Sequence, residues 1–243
     1  MASEDVFRFK QFAVRHANSS MRVGTDAVLL GAWADMGMCA KSAATFVLDV
    51  GCGCGVIALM SAQRSMSSHV LGIDIDATSI CEAMENASNS PFAGRVEFKR
   101  MDLRDFAYME HSVRYDLILC NPPYYTEDTL PPDERRSRAR NATHLSFREL
   151  FDSVVRLLHV NGVFAVVIPM QARDRFVGEA IAHGLYIRRE CRVQTVSRKS
   201  PKRVMLEFDF NRHDIAATET LVLQDTDGRR TAEYSALCSA FYL

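Results

Sequence analysis

The sequence predicts an α/β fold, in which seven strands form a mainly parallel sheet with an antiparallel last strand and with helices on both faces. Three observations support this prediction. Strand-like apolar runs alternate with helical segments, and a glycine-rich turn joins the first of these strands to a helix. The 243-residue chain is 48% hydrophobic and 24% charged, which is ordinary for a globular protein.

The alternation of strands and helices begins at residue 45. Strands are predicted over residues 45–50, 70–75, 96–101, 115–120, 162–168, 185–196 and 204–211. Helices are predicted over residues 56–63, 78–89, 147–159 and 171–183. Strands that are separated by helices favour the right-handed crossovers of a Rossmann-like sheet. The last two strands are predicted to be antiparallel, because residues 197–202 are too few to form a crossover helix.

Shorter elements flank this core. Extended residues 7–14 and a turn at 17–20 predict a small hairpin, and Thr25 or Asp26 is suited to cap the helix that follows. An Asp-Thr-Asp-Gly segment at 225–228 predicts a turn near the end of the chain. We therefore expect a single domain over 1–243, divided into an N-terminal extension (1–44), a Rossmann-like core (45–211) and a strand or hairpin tail (212–243).

The composition argues against several protein classes. The sequence contains no apolar run of about 18 residues and no secretion signal, so we expect a cytoplasmic protein without membrane attachment. The seven cysteines lie mainly in apolar runs, which indicates buried thiols. Cys52 and Cys54 lack the spacing of a zinc site, so no metal is expected. The net charge of −1 means that any nucleic-acid site must be a local basic surface.

The turn after residue 50 has the character of a cofactor site. Glycines at Gly51, Gly53 and Gly55 allow a sharp turn and a close approach of the backbone to a ligand. A dinucleotide fingerprint would read GxGxxG, whereas this turn reads GxGxG and follows the acidic Asp49. A carboxylate there would repel a diphosphate and would suit the ammonium group of S-adenosylmethionine.

Two further acids lie at the ends of the next two predicted strands. Asp74 is placed to accept both hydroxyls of a ribose, and Asp102 with the backbone N–H of Leu103 is placed to hold an adenine ring. One such acid alone is more often a helix cap or a turn residue. Three acids that lie at strand ends, as the glycine turn does, favour a pocket for S-adenosylmethionine.

The segment Asn121-Pro122-Pro123-Tyr124 follows the predicted strand 115–120 and carries the candidate chemistry. Two prolines end the strand and stiffen the backbone, which fixes the direction of the preceding side chain. The Asn121 side-chain oxygen and the Pro122 carbonyl can accept both N–H hydrogens of an aryl amine, and the Tyr124 ring can stack on its base. Asn121, Pro122 and Tyr124 are therefore the candidate catalytic residues, and a plain strand terminator is the alternative.

Two basic segments are candidate phosphate contacts, although solvated loop charge is the alternative interpretation. The first contains Arg135, Arg136, Arg138 and Arg140. The second contains Arg188, Arg189, Arg192, Arg198, Lys199, Lys202 and Arg203.

These motifs resemble the class I methyltransferases that carry an Asn-Pro-Pro-Tyr motif. The segments 9–12, 21–26 and 28–33 are similar to those of the bacterial tRNA(Val) adenine-N6 methyltransferase family, and the similarity extends from Phe7 to the chain's end. The resemblance implies transfer of a methyl group from S-adenosylmethionine to an adenine of tRNA, at position 37 beside the anticodon.

The resemblance also implies roles for further residues. Thr25 and Asp26 would line the cofactor pocket, as would Asn121. The residues expected near the RNA are Lys10, Gln11, Pro123, Arg138, Arg140, Arg198, Lys199, Lys202 and Arg203. Asn141 departs from the histidine or aromatic residue expected there. Three alternatives stay open at this point: an rRNA guanine-N2 methyltransferase, a protein glutamine-N5 methyltransferase, and a non-catalytic RNA scaffold that binds S-adenosylmethionine.

Overall fold

A computed structural model describes residues 5–19, 22–37, 45–110, 112–122 and 145–243. The strands are β1 (Val6–Arg8), β2 (Ala13–Arg15), β3 (Thr45–Val50), β4 (Ser68–Asp74), β5 (Val96–Arg100), β6 (Tyr115–Cys120), β7 (Leu158–Pro169), β8 (Tyr186–Val196), β9 (Arg203–Asp209) and β10 (Ala217–Gln224). The helices are α1 (Thr25–Trp33), α2 (Val56–Arg64), α3 (Ala77–Ser88), α4 (Leu103–Met109), α5 (Phe147–Leu157), α6 (Arg173–Ala182) and α7 (Ala232–Leu237).

The main sheet of the described residues has the strand order β10-β8-β9-β7-β6-β3-β4-β5. Strands β7, β6, β3, β4 and β5 pair in parallel, and β9 is antiparallel to both of its neighbours, β7 and β8. The predicted α/β sheet is thereby confirmed, as is the antiparallel arrangement of the strands on either side of residues 197–202. The carboxyl ends of β3 to β8 all lie at one edge of the sheet, and we call this the carboxyl edge.

Helices cover both faces of the sheet because side chains of the central strands alternate in direction. In β6, Leu117 and Leu119 pack with α1, α2 and α3 on one face, whereas Ile118 and Cys120 pack with α4, α5 and α6 on the other. Within the described ranges, every helix is too short or too polar to span a lipid bilayer.

The structure corrects the predicted number of strands. The sheet has eight strands rather than seven, because β10 joins its edge in parallel with β8. This strand lies in the tail 212–243, where a strand or hairpin was predicted, but it was not counted in the sheet because Leu221 is its only buried residue. Helices α4 and α7 were also absent from the prediction, and both are short. The predicted helix 147–159 ends two residues earlier, where the chain passes directly into β7.

The N-terminal hairpin exists, but its turn was predicted at the wrong place. Strands β1 and β2 pair within residues 6–15, and the Phe9 amide donates to the Phe12 carbonyl at 2.8 Å. The two phenylalanine rings stack with centroids 4.6 Å apart and are buried, which fixes the turn between them. The predicted cap of α1 was also wrong, because Gly24 precedes the helix and Thr25 and Asp26 form its first turn.

Candidate functional site

The predicted motif residues follow four neighbouring strands at the carboxyl edge. Strand register aligns Val50 with Cys120 on one side and with Ile73 on the other, and it aligns Asp74 with Arg100. The residues that follow these strand ends therefore form one row in the order Asn121, Gly51, Asp74 and Asp102. Adjacent strands are about 4.8 Å apart, so the row from β6 to β5 spans roughly 14 Å.

The glycine turn, residues 51–55, connects β3 to α2 through three backbone conformations that favour glycine. Gly51, Gly53 and Gly55 have φ angles of 66°, 52° and 85°. A Cβ atom added to Gly51 or Gly53 would meet no atom within 4 Å, so this side of the turn is open to a ligand. A Cβ on Gly55 would lie 2.5 Å from the Phe98 ring, so the other side is packed against the protein.

Asp49 lies beneath this turn and is completely buried. Its Oδ2 accepts a hydrogen bond from the Ala58 amide at 3.0 Å, whereas Oδ1 has no hydrogen-bond partner within the described residues. Burial raises the pKa of this carboxyl to about 7, and the nearby negative charge of Asp74 acts in the same direction. Asp49 is thus an acid whose second oxygen is available for a cationic or N–H donor.

Asp74 shapes the turn from the neighbouring strand. Its Oδ2 accepts from the Gly53 amide and its Oδ1 from the Asp76 amide, both at 2.9 Å. The carboxylate is only partly buried. Each oxygen keeps an unused lone pair in these two bonds, which is the requirement for also accepting hydroxyl groups.

Asp102 takes part in an ion-pair network that the sequence did not indicate. The carboxylate caps α4 by accepting from the Arg104 amide at 2.8 Å, and the Arg104 guanidinium contacts it at 2.6 Å. The same guanidinium reaches Glu149 at the start of α5, 3.0 Å away. Hydrogen bonds from Arg104 hold the pKa of Asp102 below its usual value. The side chain of Leu103 is buried.

Asn121 and Pro122 follow directly after β6, beside the glycine turn. The Asn121 side chain is 8% exposed. Pro123 and Tyr124 lie outside the described residues, as do Arg135, Arg136, Arg138, Arg140 and Asn141. The described half of the motif is therefore adjacent to the candidate cofactor turn.

Thr25 and Asp26 begin α1 near the same edge, and Asp26 pairs with a predicted RNA-binding residue. The Arg203 Nε atom donates to Asp26 Oδ2 at 2.9 Å. Arg203 starts β9 opposite Pro169, which ends β7. An ion pair thus connects the expected cofactor region to the end of the basic segment.

The structure divides the second basic segment into two parts. Arg188 contacts Asp35 at 2.9 Å, Arg189 contacts Glu207 at 3.3 Å, and Arg192 contacts Glu190 at 2.7 Å. By contrast, Arg198, Lys199 and Lys202 are exposed in the loop between β8 and β9, at the carboxyl edge. We call residues 197–202 the basic loop.

Lys10 and Gln11 lie elsewhere. The Lys10 ammonium donates to the Ser239 carbonyl at 2.7 Å, and its amide donates to the Phe241 carbonyl. Phe12, next in the chain after Gln11, packs edge-on against Phe92, which precedes β5 and so lies toward the opposite edge of the sheet. The structure does not bring Lys10 into the row of strand-end residues.

Cys52, Cys54 and Cys120 are buried near the glycine turn. Burial raises the pKa of the Cys54 thiol to about 12 and raises the pKa values of the other two. Among the described residues, no group of three or more His, Cys, Asp or Glu side chains is arranged to hold a metal ion.

Comparison with known proteins gives a family for this geometry. Residues 36–175 match the family model of the methyltransferase small domain. A tRNA1(Val) (adenine(37)-N6)-methyltransferase of Bacteroides fragilis is 41% identical over 241 residues, which cover 99% of each chain. The chain belongs to this methyltransferase family. A relative of the same name from Tolumonas auensis is 36% identical over 98% of this chain and 96% of its own.

Solved structures agree on the fold. A predicted O-methyltransferase from Agrobacterium tumefaciens superposes with a TM-score of 0.66 at 15% identity, over 89% of this chain and 96% of its own. TrmN from Thermus thermophilus superposes with a TM-score of 0.52 at 21% identity, over 75% of this chain and 47% of its own. The Rossmann-like fold of the methyltransferase is therefore shared with both.

Proposed function

We propose that this methyltransferase uses S-adenosylmethionine to methylate N6 of an adenine in tRNA, at position 37 in the anticodon loop of tRNA(Val). The observation that carries the proposal is the full-length similarity to curated enzymes of that name. The adjacency of Asn121 to the glycine turn supports it independently, because methyl donor and acceptor must meet within a few ångströms.

The residues around the glycine turn fit S-adenosylmethionine. The open space beside Gly51 and Gly53 admits a ligand against the backbone. The Oδ1 atom of Asp49, which has no hydrogen-bond partner among the described residues, suits the ammonium group of the amino-acid end. Asp74 retains acceptor capacity for the ribose hydroxyls. When bound, S-adenosylmethionine supplies a methyl group that is attached to a sulfonium sulfur. This sulfur is a good leaving group.

Asp102 has less free acceptor capacity than Asp74. Its carboxylate accepts three hydrogen bonds from Arg104, which occupy part of its acceptor capacity. The one remaining lone pair, on Oδ2, can still take one N–H of the adenine amino group. We propose that Arg104 and Glu149 hold this carboxylate in position, and that Leu103 contributes its backbone N–H.

The acceptor amine requires activation because its lone pair is delocalised into the aromatic ring. Asn121 Oδ1 and the Pro122 carbonyl accept the two N–H hydrogens and draw the nitrogen toward tetrahedral geometry. The lone pair then points toward the methyl group. Stacking of the base on Tyr124 would fix its plane and contribute about 1 to 3 kcal/mol. No strong base is needed, since positioning provides most of the acceleration.

The basic loop is the described surface best suited to the RNA backbone. Arg198, Lys199 and Lys202 are exposed at the carboxyl edge, and three strand spacings of about 4.8 Å separate β8 from β6. The strand register places Asn121 level with Cys191, six residues before the loop, so the loop begins roughly 20 Å beyond Asn121 along the strands as well as roughly 14 Å across them. A segment of several nucleotides is needed to span that distance. An anticodon-loop base is already unpaired and costs less to rotate into a site than a base in a duplex. Because the tRNA substrate is found in the cytoplasm, we infer that the enzyme acts there.

The direct test uses the purified chain with S-adenosylmethionine, total tRNA, ribosomal RNA and protein fractions. We expect N6-methyladenosine in tRNA, detected by nucleoside mass spectrometry, and its loss in the Asn121→Ala variant. Methylation of an isolated anticodon stem-loop of tRNA(Val) would identify the position of the methylated adenine. Methyl incorporation into guanine or into glutamine would overturn the adenine assignment, and binding of S-adenosylmethionine and tRNA without transfer would indicate a scaffold.

A further inference from the structure

We propose that Asn86 and Glu82 of α3 are positioning residues, which tie the glycine turn and an N-terminal strap to one helix and so form the cofactor pocket before ligand binds. The strap is residues 15–19. The inference rests on the proposed function, in which the glycine turn holds S-adenosylmethionine. Neither residue belongs to a sequence motif, and neither is itself placed to touch the reacting atoms.

Asn86 joins the strap to the glycine turn directly. Its amide nitrogen donates to the carbonyl oxygens of Arg15 and Cys54, each at 2.9 Å. Its amide oxygen accepts from the Arg15 backbone N–H at 2.8 Å. The side chain is 3% exposed, so water does not compete effectively for these bonds. Three hydrogen bonds thereby fix one amide between two backbone segments that are remote in sequence.

Glu82 holds the other end of the strap. It lies one helical turn before Asn86, and its two carboxylate oxygens accept from the Asn18 amide at 3.2 Å and the Ser19 amide at 2.9 Å. The side chain is 4% exposed. Burying a carboxylate is costly unless N–H groups or cations compensate for the lost hydration. The strap supplies two such N–H groups, so the burial of Glu82 depends on the position of the strap.

The strap leads onward to the start of α1. The Val23 amide donates to Nδ1 of His16 at 2.9 Å. This hydrogen bond connects the strap to the residues that directly precede α1. Thr25 and Asp26, the first residues of α1, follow at once. Through the strap, α3 therefore sets the position of residues expected to line the cofactor pocket.

The glycine turn needs such a support because its residues restrain it weakly. Gly51 and Cys52 donate to the Ile73 carbonyl, and Gly53 donates to Asp74, which fixes the first half of the turn. The second half is held by Asn86 through the Cys54 carbonyl and by one bond within the turn, from the Gly55 amide to the Cys52 carbonyl at 2.9 Å. Without the bond from Asn86, the residues between Gly53 and Gly55 would sample more conformations, and the ligand would have to select the competent one.

The test compares Asn86→Asp and Glu82→Gln with two controls, one on the same helix and one at its C-terminal cap. Asn86→Asp keeps an acceptor for Arg15 but loses both N–H donors, and Glu82→Gln keeps one of two acceptors. Asn89→Ala and Glu85→Gln alter exposed residues of the same types. Affinity for S-adenosylmethionine is measured by calorimetry, with kcat and KM for the cofactor measured at saturating tRNA.

We expect the Asn86 variant to bind S-adenosylmethionine about ten-fold more weakly, which is the usual effect of losing hydrogen bonds in a buried network. The Glu82 variant should bind about three-fold more weakly, and both controls should match the parent. In both test variants KM for the cofactor should rise while kcat changes little. A merely structural role would instead lower the binding stoichiometry and kcat together and leave the affinity of the folded fraction unchanged.

Hydrogen exchange gives a second measurement that does not depend on catalysis. Exchange at the strap amides of Arg15, Asn18 and Ser19 should accelerate in both variants, and exchange at the glycine turn only in the Asn86 variant. If the Asn86→Asp variant does not fold, the inference is tested by the cofactor affinity of the Glu82→Gln variant and by hydrogen exchange of its strap amides. Parent-like affinity in the folded variants would overturn the inference. If the unmodified chain binds S-adenosylmethionine but methylates no tRNA, the proposed function is overturned instead. The comparison of cofactor affinities between the variants and the unmodified chain would still test the inference.

Discussion

Replacing Asp49 with asparagine should stabilise the fold and weaken cofactor binding. The carboxyl is fully buried, and its pKa is raised from 3.8 to about 7 mainly because burial penalises the charged form. A group whose pKa rises on folding contributes stability that is complete below the unfolded pKa and is lost as the pH rises through the folded pKa. The parent therefore loses stability from this group between about pH 4 and pH 7.

The magnitude follows from the pKa itself. At about 1.36 kcal/mol per pKa unit, the whole loss is about 4 kcal/mol, of which about 3 kcal/mol falls between pH 5 and pH 8. The side-chain amide of the Asp49→Asn variant would be uncharged and would still accept from the Ala58 amide, which bonds the Asp49 carboxylate at 3.0 Å. The stability of the variant relative to the parent should therefore increase by about 3 kcal/mol between these two pH values.

Urea denaturation of the ligand-free chain at about pH 5 and about pH 8 measures this difference. Asp227→Asn, which alters an exposed turn residue, is the control and should show no such trend. Calorimetry at the higher pH should show at least about ten-fold weaker binding of S-adenosylmethionine, because a charge-assisted contact to its ammonium group is lost. A stability difference that does not change with pH would refute the reasoning, since it would mean that Asp49 titrates as an ordinary surface carboxyl.

Three further predictions concern the site. Asp74→Ala should weaken S-adenosylmethionine binding by about 2 to 3 kcal/mol, and undiminished affinity in calorimetry would remove it from the pocket. Asn121→Ala should lower single-turnover rates by about 100-fold with cofactor affinity nearly unchanged, because its hydrogen bond strengthens in the transition state. Single-turnover rates within a few-fold of the parent would contradict that role. Replacing Arg198, Lys199 and Lys202 with alanine should flatten the log–log salt dependence of tRNA affinity by about 2, at roughly 0.7 per phosphate contact. An unchanged slope would exclude the basic loop from the RNA surface.

The sequence predicts the central strands, and the placement of the motif residues at their ends, because strong local signals encode both. The burial of β3 and β6 on both faces produces continuous apolar runs, and glycines are required where φ is positive after Val50. The edge strand β10 lacks such a signal, since four of its eight residues are exposed in succession. Helix α4 was missed because it is only seven residues long.

Contacts between residues remote in sequence could not be predicted. Asn86 and Glu82 have the sequence character of ordinary helix residues, and their partners precede them by 32 to 71 positions. The expected RNA contact of Arg203 was drawn from its place in a basic run, whereas tertiary structure pairs it with Asp26. Local composition predicts that charges are gathered, but only the fold determines which of them are neutralised.

The antiparallel strand β9 explains why the basic loop and the acidic strand ends lie at the same edge of the sheet, on opposite sides of β6. Because β9 runs against both β7 and β8, the loop between β8 and β9 must lie at the carboxyl edge, where the parallel strands also end. A parallel strand in that place would require a crossover connection and would not bring a short loop to this edge. Along the edge, the acids of β3 to β5 lie on one side of β6 and the basic loop on the other. Under the proposed function, repulsion between these carboxylates and the RNA phosphates would favour RNA on the basic side, which is the side from which we expect the target base to reach Asn121.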